Sequence, residues 1–411
     1  MSNPVSAADF NLLDPAFRAN PYPYYAALRR ESPVHRVVPN APLFAISRYE
    51  DIHQILQRPT DFSSTAFQTL FQGGLGLTPN SGALAGNRLI ASPMMISVDP
   101  PHHARMRGLV NRGFTPRRIA ALEPRLRALA TSCIEDVLES GGMDLVRDLS
   151  IPFPVTVIAE LLGIEPDRRR DFKRWSDATV VGLSGIAGDF TRDEVKQNAD
   201  EMADYIERIA ADRRAKPKDD LISVLVQAEG GDALSTGEVL SFVFLLLVAG
   251  NETTTNLIGN AMKALLEHPD QLAEVVANPR LIPAMIEETL RYDSPVQMLP
   301  RKANRDIELA GGRVEEGSLL LSFFASANRD EKHFSEPDRF DIQRPAQAHL
   351  AFGYGIHFCL GASLARLEAR VAFEVLFSRC RNLRLAGDGV AMLDSLALRG
   401  PKSLALDFEA A

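Results

Sequence analysis

The chain has 411 residues, 45% of them hydrophobic, 24% charged and 7% aromatic, a composition that excludes disordered, collagen-like and coiled-coil classes. Lys plus Arg number 45 against 53 Asp plus Glu, and the net charge of −8 disfavours nucleic acid or anionic lipid as a partner of the whole chain. Three cysteines, Cys133, Cys359 and Cys380, are too few and odd in number for a disulfide framework and point to a reducing compartment.

Residues 1–9 carry no basic and apolar signal-peptide pattern, and the strongest apolar run, 242–250, falls short of the roughly 20 residues a bilayer requires, so a cytoplasmic protein without a membrane anchor is expected. Apolar residues at three- and four-residue spacing predict helices over 21–30, 49–57, 105–113, 119–138 and 155–162. Longer amphipathic helices are predicted over 168–181 and 192–214. A more apolar one follows over 235–267, with Ser235 or Thr236 as its cap and Glu238 close behind. At 1.5 Å per residue that helix is about 45 Å long, and its apolar middle marks it as a buried spine. Strands are predicted over 34–38 and 43–47 as a hairpin, and later over 296–302, 306–309 and 318–324, with turns at Gly311-Gly312 and Glu316-Gly317. The segment 382–408 reads as strands and turns. Residues 66–95, punctuated by five glycines and Pro79, have no clear period and read as a long loop, of the kind that is usually functional or mobile. No linker or repeat interrupts the chain. The expected architecture is one domain over 1–411, mainly helical, with β-rich parts at about 34–47, 296–324 and 382–408.

The strongest local signal is Phe352-Gly-Tyr-Gly-Ile-His-Phe-Cys-Leu-Gly361, followed by a helical pattern over 362–377. Glycines around Cys359 let backbone N–H groups approach its sulfur, and the helix start beyond it adds positive potential; both favour a thiolate suited to a soft or borderline metal. Gly353-x-Gly355 lacks the third glycine of a dinucleotide fingerprint, since position 358 is Phe. Zinc would need more ligands than His357 and Cys359. A thiol protease would need a neighbouring base. Cys133 and Cys380, in helical patterns, read as buried structural thiols.

The loop resembles the cysteine loop of the cytochrome P450 family of haem-thiolate monooxygenases, and its match to Phe-Gly-x-Gly-x-His-x-Cys-x-Gly is complete. Three further motifs stand in family order, so the resemblance covers about residues 20–405. It implies haem b (iron protoporphyrin IX) with Cys359 as axial iron ligand, a mainly α fold with a smaller β region, and a long central helix over the haem. In Ala249-Gly250-Asn251-Glu252-Thr253-Thr254, polar groups interrupt an apolar helix. Threonine hydroxyls there can bond back to a carbonyl and open the helical ladder. The resemblance makes Ala249 and Gly250 part of the haem and oxygen groove, and Glu252 and Thr253 the acid and alcohol that guide protons. Glu288-Thr-Leu-Arg291 places an acid and a base on one helix face. By resemblance Arg339, in Pro337-Asp-Arg-Phe340, joins that pair in a buried structural network.

In Asp99-Pro-Pro-His-His-Ala-Arg-Met-Arg107 the resemblance makes His103 and Arg107 ligands of the haem propionates, together with Arg301 and His357; Phe352 and Gly361 border the cofactor. The remaining arginines among 105, 112, 117 and 118 suit an acidic electron carrier docking on the face nearest the cysteine. The family's substrate positions fall on Phe67, Leu77, Leu84, Leu89, Leu245, Val248, Ala249, Val296, Met298, Leu299, Ser395 and Leu396, a mostly aliphatic set suited to a neutral lipophilic molecule such as a fatty acid, terpenoid, steroid or polyketide/macrolide. No flavin or iron–sulfur pattern is present, so electrons for O2 activation are expected from a ferredoxin and its NAD(P)H-dependent reductase, with no nucleic acid involved and a monomer as the working form. Alternatives on the same fold are an oxidative coupling enzyme or a peroxygenase. A non-catalytic haem sensor is a third, although it would not need Glu252 and Thr253.

Overall fold

A computed structural model describes residues 5–68, 83–184, 190–227, 233–345, 348–387 and 389–411. Among these, eleven helices run nine residues or more: α1 Tyr22–Glu31, α2 Tyr49–Gln57, α3 His102–Asn111, α4 Glu123–Leu138, α5 Pro152–Leu162, α6 Arg169–Ser184, α7 Arg192–Ala215, α8 Thr236–Glu267, α9 Pro269–Ala277, α10 Ile282–Tyr292 and α11 Ala362–Arg379. The periodicities therefore located the helices well, with two adjustments. The predicted 119–138 helix divides at Leu122 into a short helix, Pro116–Ala121, and α4. Cys380 lies not in a helix but at the first position of a strand, because α11 ends at Arg379.

The chain divides into two compact units, Met1–Ser64 with Arg127–Ser150 and Thr253–Ala411, and Thr65–Leu126 with Ile151–Glu252. The division falls inside α8, between Glu252 and Thr253. All the described strands belong to the first unit. One sheet has the order β1-β2-β8-β5-β3, formed by Val34–Arg36, Leu43–Ile46, Leu319–Ser322, Leu299–Ala303 and Phe62–Ser63. The hairpin β1–β2 is antiparallel with Val34 opposite Ile46, as the turn at 39–42 predicts, whereas β2 pairs with β8 in parallel. A three-stranded sheet joins β4 (Gly142–Asp144), β10 (Ala405–Ala410) and β9 (Cys380–Leu385), and a small hairpin joins β6 (Ile307–Leu309) to β7 (Gly312–Val314). Ile52, Ile55, Phe324 and Leu350 pack with Phe62 and Leu320 of the first sheet, a core that seats the chain leading into the cysteine loop.

The second unit is helical among its described residues. Its α5 ends at Gly163, which is left-handed at φ 76° and so close to Asp220 that no side chain would fit there. Helix α8 starts with a capping box: the Ser235 hydroxyl accepts from the Glu238 N–H at 3.3 Å, while the Ser235 N–H donates to the Glu238 carboxylate at 2.9 Å. By length and composition α8 could cross a membrane, yet 67% of its most apolar window is buried within the protein, as in the core helix of a soluble fold.

Candidate functional site

In the first unit the cysteine loop is folded by its glycines. Gly353 and Gly355 are both left-handed, at φ 69° and 71°, and a side chain at Gly355 would strike the Leu56 carbonyl at the end of α2. The Cys359 N–H donates to the Phe352 carbonyl at 2.9 Å, which closes the loop around a single turn at Gly355–His357. Cys359 is half-buried, and α11 begins three residues later. A side chain at Gly361 would lie 4.0 Å from the Cys359 sulfur, so glycine keeps that flank of the thiol open. His357 Nε2 lies 2.9 Å from the Ser64 hydroxyl.

Behind the loop stands a buried ion network. Glu288 and Arg291 on α10 are each 3% exposed and joined by two hydrogen bonds of 2.8 Å. Arg291 also donates to the carbonyls of Asn328, Pro337 and Arg339. Every polar edge of the pair is thereby used, which a buried ion pair needs if it is not to be a liability. Asn328 carries the connection forward, since its side chain accepts from the Leu350 N–H at 2.6 Å and the Leu350 carbonyl accepts from the Gly353 N–H. The pair thus fixes the entry to the cysteine loop.

The expected third member, Arg339, is a correction. Its guanidinium is 60% exposed and meets Glu336 and Asp341 at the surface, so it contributes only its carbonyl to the network. Arg344 takes the place instead: its Nε lies 3.2 Å from both Glu288 oxygens, and its other nitrogens bind the carbonyls of Ser335, Glu336 and Arg339. A motif read by spacing selected the wrong arginine because both lie on one short, irregular segment.

A second brace went unseen in the sequence. Glu287, next to Glu288, holds Arg366 of α11 through two bonds of 2.6 and 2.8 Å, and His349 lies 3.2 Å away. Burial alone would raise the Glu287 carboxyl, but the bonds from Arg366 and His349 outweigh it and hold the group at about 2. Arg366 also lies 4.5 Å over the Phe352 ring. Tandem acids before Arg291 and an Arg seven residues after Cys359 were the only sequence signal.

Arg301 of β5 is buried and donates to the Pro300 carbonyl at 2.7 Å. Val296, Met298 and Leu299 enter the sheet at the same end, and Val296 forms a bridge with Leu398, beside the turn that carries Ser395 and Leu396. The strand entry and the late turn are therefore brought together.

In the second unit, the middle of α8 is the less buried part of an otherwise enclosed helix. Leu245, Val248, Ala249 and Glu252 fall at i, i+3, i+4 and i+7, so they share one face, and all four are half-buried or exposed, whereas Phe242, Val243, Phe244 and Leu247 are fully covered. Gly250 packs under Ile158 of α5, whose terminal carbon would be 2.8 Å from an added side chain. That close approach explains a glycine in mid-helix. The opened helical ladder expected here is not found, since α8 is continuous from Thr236 to Glu267. Burial, with a smaller contribution from the Asp177 carboxylate, raises Glu252 to about 7. His103 is buried and its imidazole is lowered by that burial and by the Arg107 charge, while Arg107 Nε donates to Asn111 at 3.0 Å. Phe67, Leu84 and Leu89 are buried; Leu77 lies outside the described residues.

A family model described as Cytochrome P450 matches residues 188–406. The chain is 39% identical over 396 residues to Vitamin D(3) 25-hydroxylase of Pseudonocardia autotrophica, covering 95% of this chain and 94% of that one. It is 40% identical over 383 residues to Cyclomarin C epoxidase CymV of Salinispora arenicola, covering 93% and 94%. The solved structure of cytochrome P450 CYP109Q5 from Chondromyces apiculatus matches with a TM-score of 0.87 at 40% identity over 98% of both chains. The chain belongs to the cytochrome P450 family. A P450 is a haem b monooxygenase, and the mainly helical fold with small sheets and one long helix is the family's.

The residues present fit a haem. The half-buried Cys359 thiol sits in a loop closed by the bond from the Cys359 N–H to the Phe352 carbonyl. Arg301 and His357 in the first unit, and His103 and Arg107 in the second, are residue types that can each pair with a carboxylate. Helix α8 carries an incompletely covered apolar face interrupted by one acid, which suits a flat apolar ring system bearing a reactive centre.

Proposed function

We propose that this P450 hydroxylates or epoxidises a lipophilic small molecule, with Cys359 as the iron ligand and Glu252 and Thr253 as the proton-handling pair. When bound, the haem supplies the activation of O2 and the transfer of one oxygen atom to a C–H or C=C bond. The observation that carries the reading is an acid held near neutrality, Glu252 at about 7, followed directly by a hydroxyl residue on the half-covered stretch of α8. A carboxyl with that value both takes and gives a proton at physiological pH, and the Thr253 hydroxyl can accept one and donate another. Backbone N–H groups and the start of α11 favour negative charge on the Cys359 sulfur. His103, Arg107, Arg301 and His357 hold the propionates, with Ala249, Gly250, Phe352 and Gly361 bordering the ring. Glu288, Arg291 and Arg344 keep the loop in place.

The substrate is bound by Phe67, Leu77, Leu84, Leu89, Leu245, Val248, Ala249, Val296, Met298, Leu299, Ser395 and Leu396. Fatty acids, terpenoids, steroids and macrolides fit that aliphatic set, and the relatives named for vitamin D(3) and cyclomarin C support a bulky lipophilic molecule. Electrons come from a ferredoxin and its NAD(P)H-dependent reductase; the exposed Arg112 and Arg117 suit an acidic carrier. The enzyme works as a cytoplasmic monomer.

Thr253→Ala tests the proton assignment. The variant is expected to bind substrate as the parent does while product per NAD(P)H falls and peroxide rises; an unchanged product yield removes Thr253 from the path. Difference spectra of the haem-loaded protein against a panel of lipophilic compounds would read substrate class through the spectral shift that each compound induces.

A further inference from the structure

The turn that carries Ser395 and Leu396 is held at two points within the first unit. Its base is tied to the strand entry: the Gln297 N–H donates to the Ala397 carbonyl and the Arg399 N–H to the Pro295 carbonyl, both at 2.8 Å. Arg399 fixes that base to the interior. Its Nε donates to Asp293 at 2.9 Å, the Tyr22 hydroxyl donates to the same carboxyl oxygen at 2.5 Å, and its Nη1 donates to the Ala19 carbonyl at 3.1 Å. The tip is held differently. A short helix, Pro15–Ala19, starts at Asp14, whose side chain accepts from the Ala16 N–H at 2.9 Å. Phe17 of that helix is buried edge-on against Phe10, Tyr24, Tyr25 and Phe323, in the same cluster as Met298, and Leu396 packs against that cluster. Arg18, the next residue, reaches the tip of the turn, where its Nε donates to the Asp394 carboxylate at 2.6 Å. Among the described residues this is the one ion pair that the tip makes. Beside it lies a cleft of about 220 Å³ lined by Phe17, Arg18, Tyr25, Gln297, Ser395 and Leu396, so the tip has room to shift.

We propose that Arg18 is a positioning residue for substrate selection: by holding Asp394 it sets where Ser395 and Leu396 stand, and therefore which lipophilic molecules fit against them. This deepens the substrate reading and rests on Ser395 and Leu396 being substrate contacts. The two anchors of the turn do different work. Arg399 and Asp293 are 9% and 4% exposed, and a buried pair that also engages a hydroxyl and a carbonyl belongs to the fold. The Asp394 side chain is 72% exposed, so its pair with Arg18 contributes little to stability. A weak pair can still choose among positions of nearly equal energy, which a turn fixed at its base and bordered by open space has. A small displacement of Leu396 changes its contact with an apolar ligand, since dispersion attraction falls off steeply with separation. The N-terminal helix thereby takes part in specificity without touching the substrate.

The test uses the haem-loaded full chain and three nitrogen ligands whose binding is read spectrally: imidazole, which reports access to the iron alone, 4-phenylimidazole and the bulky clotrimazole. Arg18→Ala is expected to leave imidazole affinity and the chemical denaturation midpoint unchanged. The ratio of clotrimazole to 4-phenylimidazole affinity is expected to move toward one by about two- to fivefold, the range an exposed ion pair can supply, because a tip without its anchor discriminates less. Exchanging the charges in the double variant Arg18→Asp, Asp394→Arg should restore the parent ratio. Leu396→Phe, which alters the turn directly, should change the ratio in any case. If it does not, the reading of the turn as a substrate contact fails, and the role of Arg18 falls with it. If Leu396→Phe changes the ratio and Arg18→Ala does not, the positioning role alone is overturned. A ratio that changes together with a lowered denaturation midpoint, or that the exchanged charges do not restore, makes Arg18 a residue of the fold only and overturns it too.

Discussion

Two glutamates, 36 residues apart in sequence, show opposite uses of the same side chain. Glu288 on α10 is enclosed by two guanidinium groups and a backbone N–H, from Arg291, Arg344 and Asp341, and every lone pair has a donor. Glu252 on α8 is half-buried, and among the described residues the charged group that acts on it is an acid, Asp177. The first arrangement fixes charge and position, which suits a group that supports a loop. The second leaves the proton weakly held, which suits a group that passes protons on. Glu368 of α11 falls on the second side: it is 2% exposed, one oxygen has no partner, and burial raises it to about 8 despite a bond from Thr254.

The contrast can be broken at several points. Arg291→Ala leaves the buried Glu288 with only Arg344 and the Asp341 N–H and should cost about 3–5 kcal/mol, with loss of bound haem, measured by chemical denaturation and haem retention. Arg344→Met should cost about 1–3 kcal/mol by the same assay, since the Arg291 bonds to Glu288 remain. Glu252 and Glu368 predict a pH effect of definite sign. Their folded-state values, about 7 and about 8, lie above the ordinary 4.5, so the native state binds more protons than the unfolded state in between. These two groups therefore lower stability as pH rises from about 4.5 to about 8, against the opposite contribution of His35, His103 and His333, which burial lowers, and Glu252→Gln should flatten the part below pH 7 by about 2 kcal/mol or less relative to the parent. A parent whose stability falls no more steeply than that of Glu252→Gln across this window would contradict the assignment. Arg339→Ala should change stability by no more than about 0.5 kcal/mol, because its side chain lies at the surface. An effect as large as that of Arg344→Met would restore Arg339 to the network.

Much of this was legible in the sequence where one physical cause dominates a local pattern. Periodicity located α2, α7 and α8 almost to the residue, and the glycines around Cys359 announced a tight loop that φ 69° and 71° bear out. What escaped depends on contacts between distant segments. Choosing Arg344 over Arg339 requires knowing which way an irregular segment turns, and the Glu287–Arg366 brace joins residues 79 apart. The close packing of Gly250 against Ile158, which calls for a glycine in mid-helix, joins two helices distant in sequence. Strands β3 and β4, of two and three residues, have no alternation long enough to read.

The central claim is that Cys359, held in its glycine loop by α10 and α11, is the thiolate ligand of a haem. Its most direct measurement is the spectrum of the dithionite-reduced protein under carbon monoxide. The parent should show the red-shifted Soret band of thiolate ligation, and Cys359→Ala should lose it. Absence of that band from the well-folded, haem-loaded parent, or its persistence in Cys359→Ala, would contradict the account.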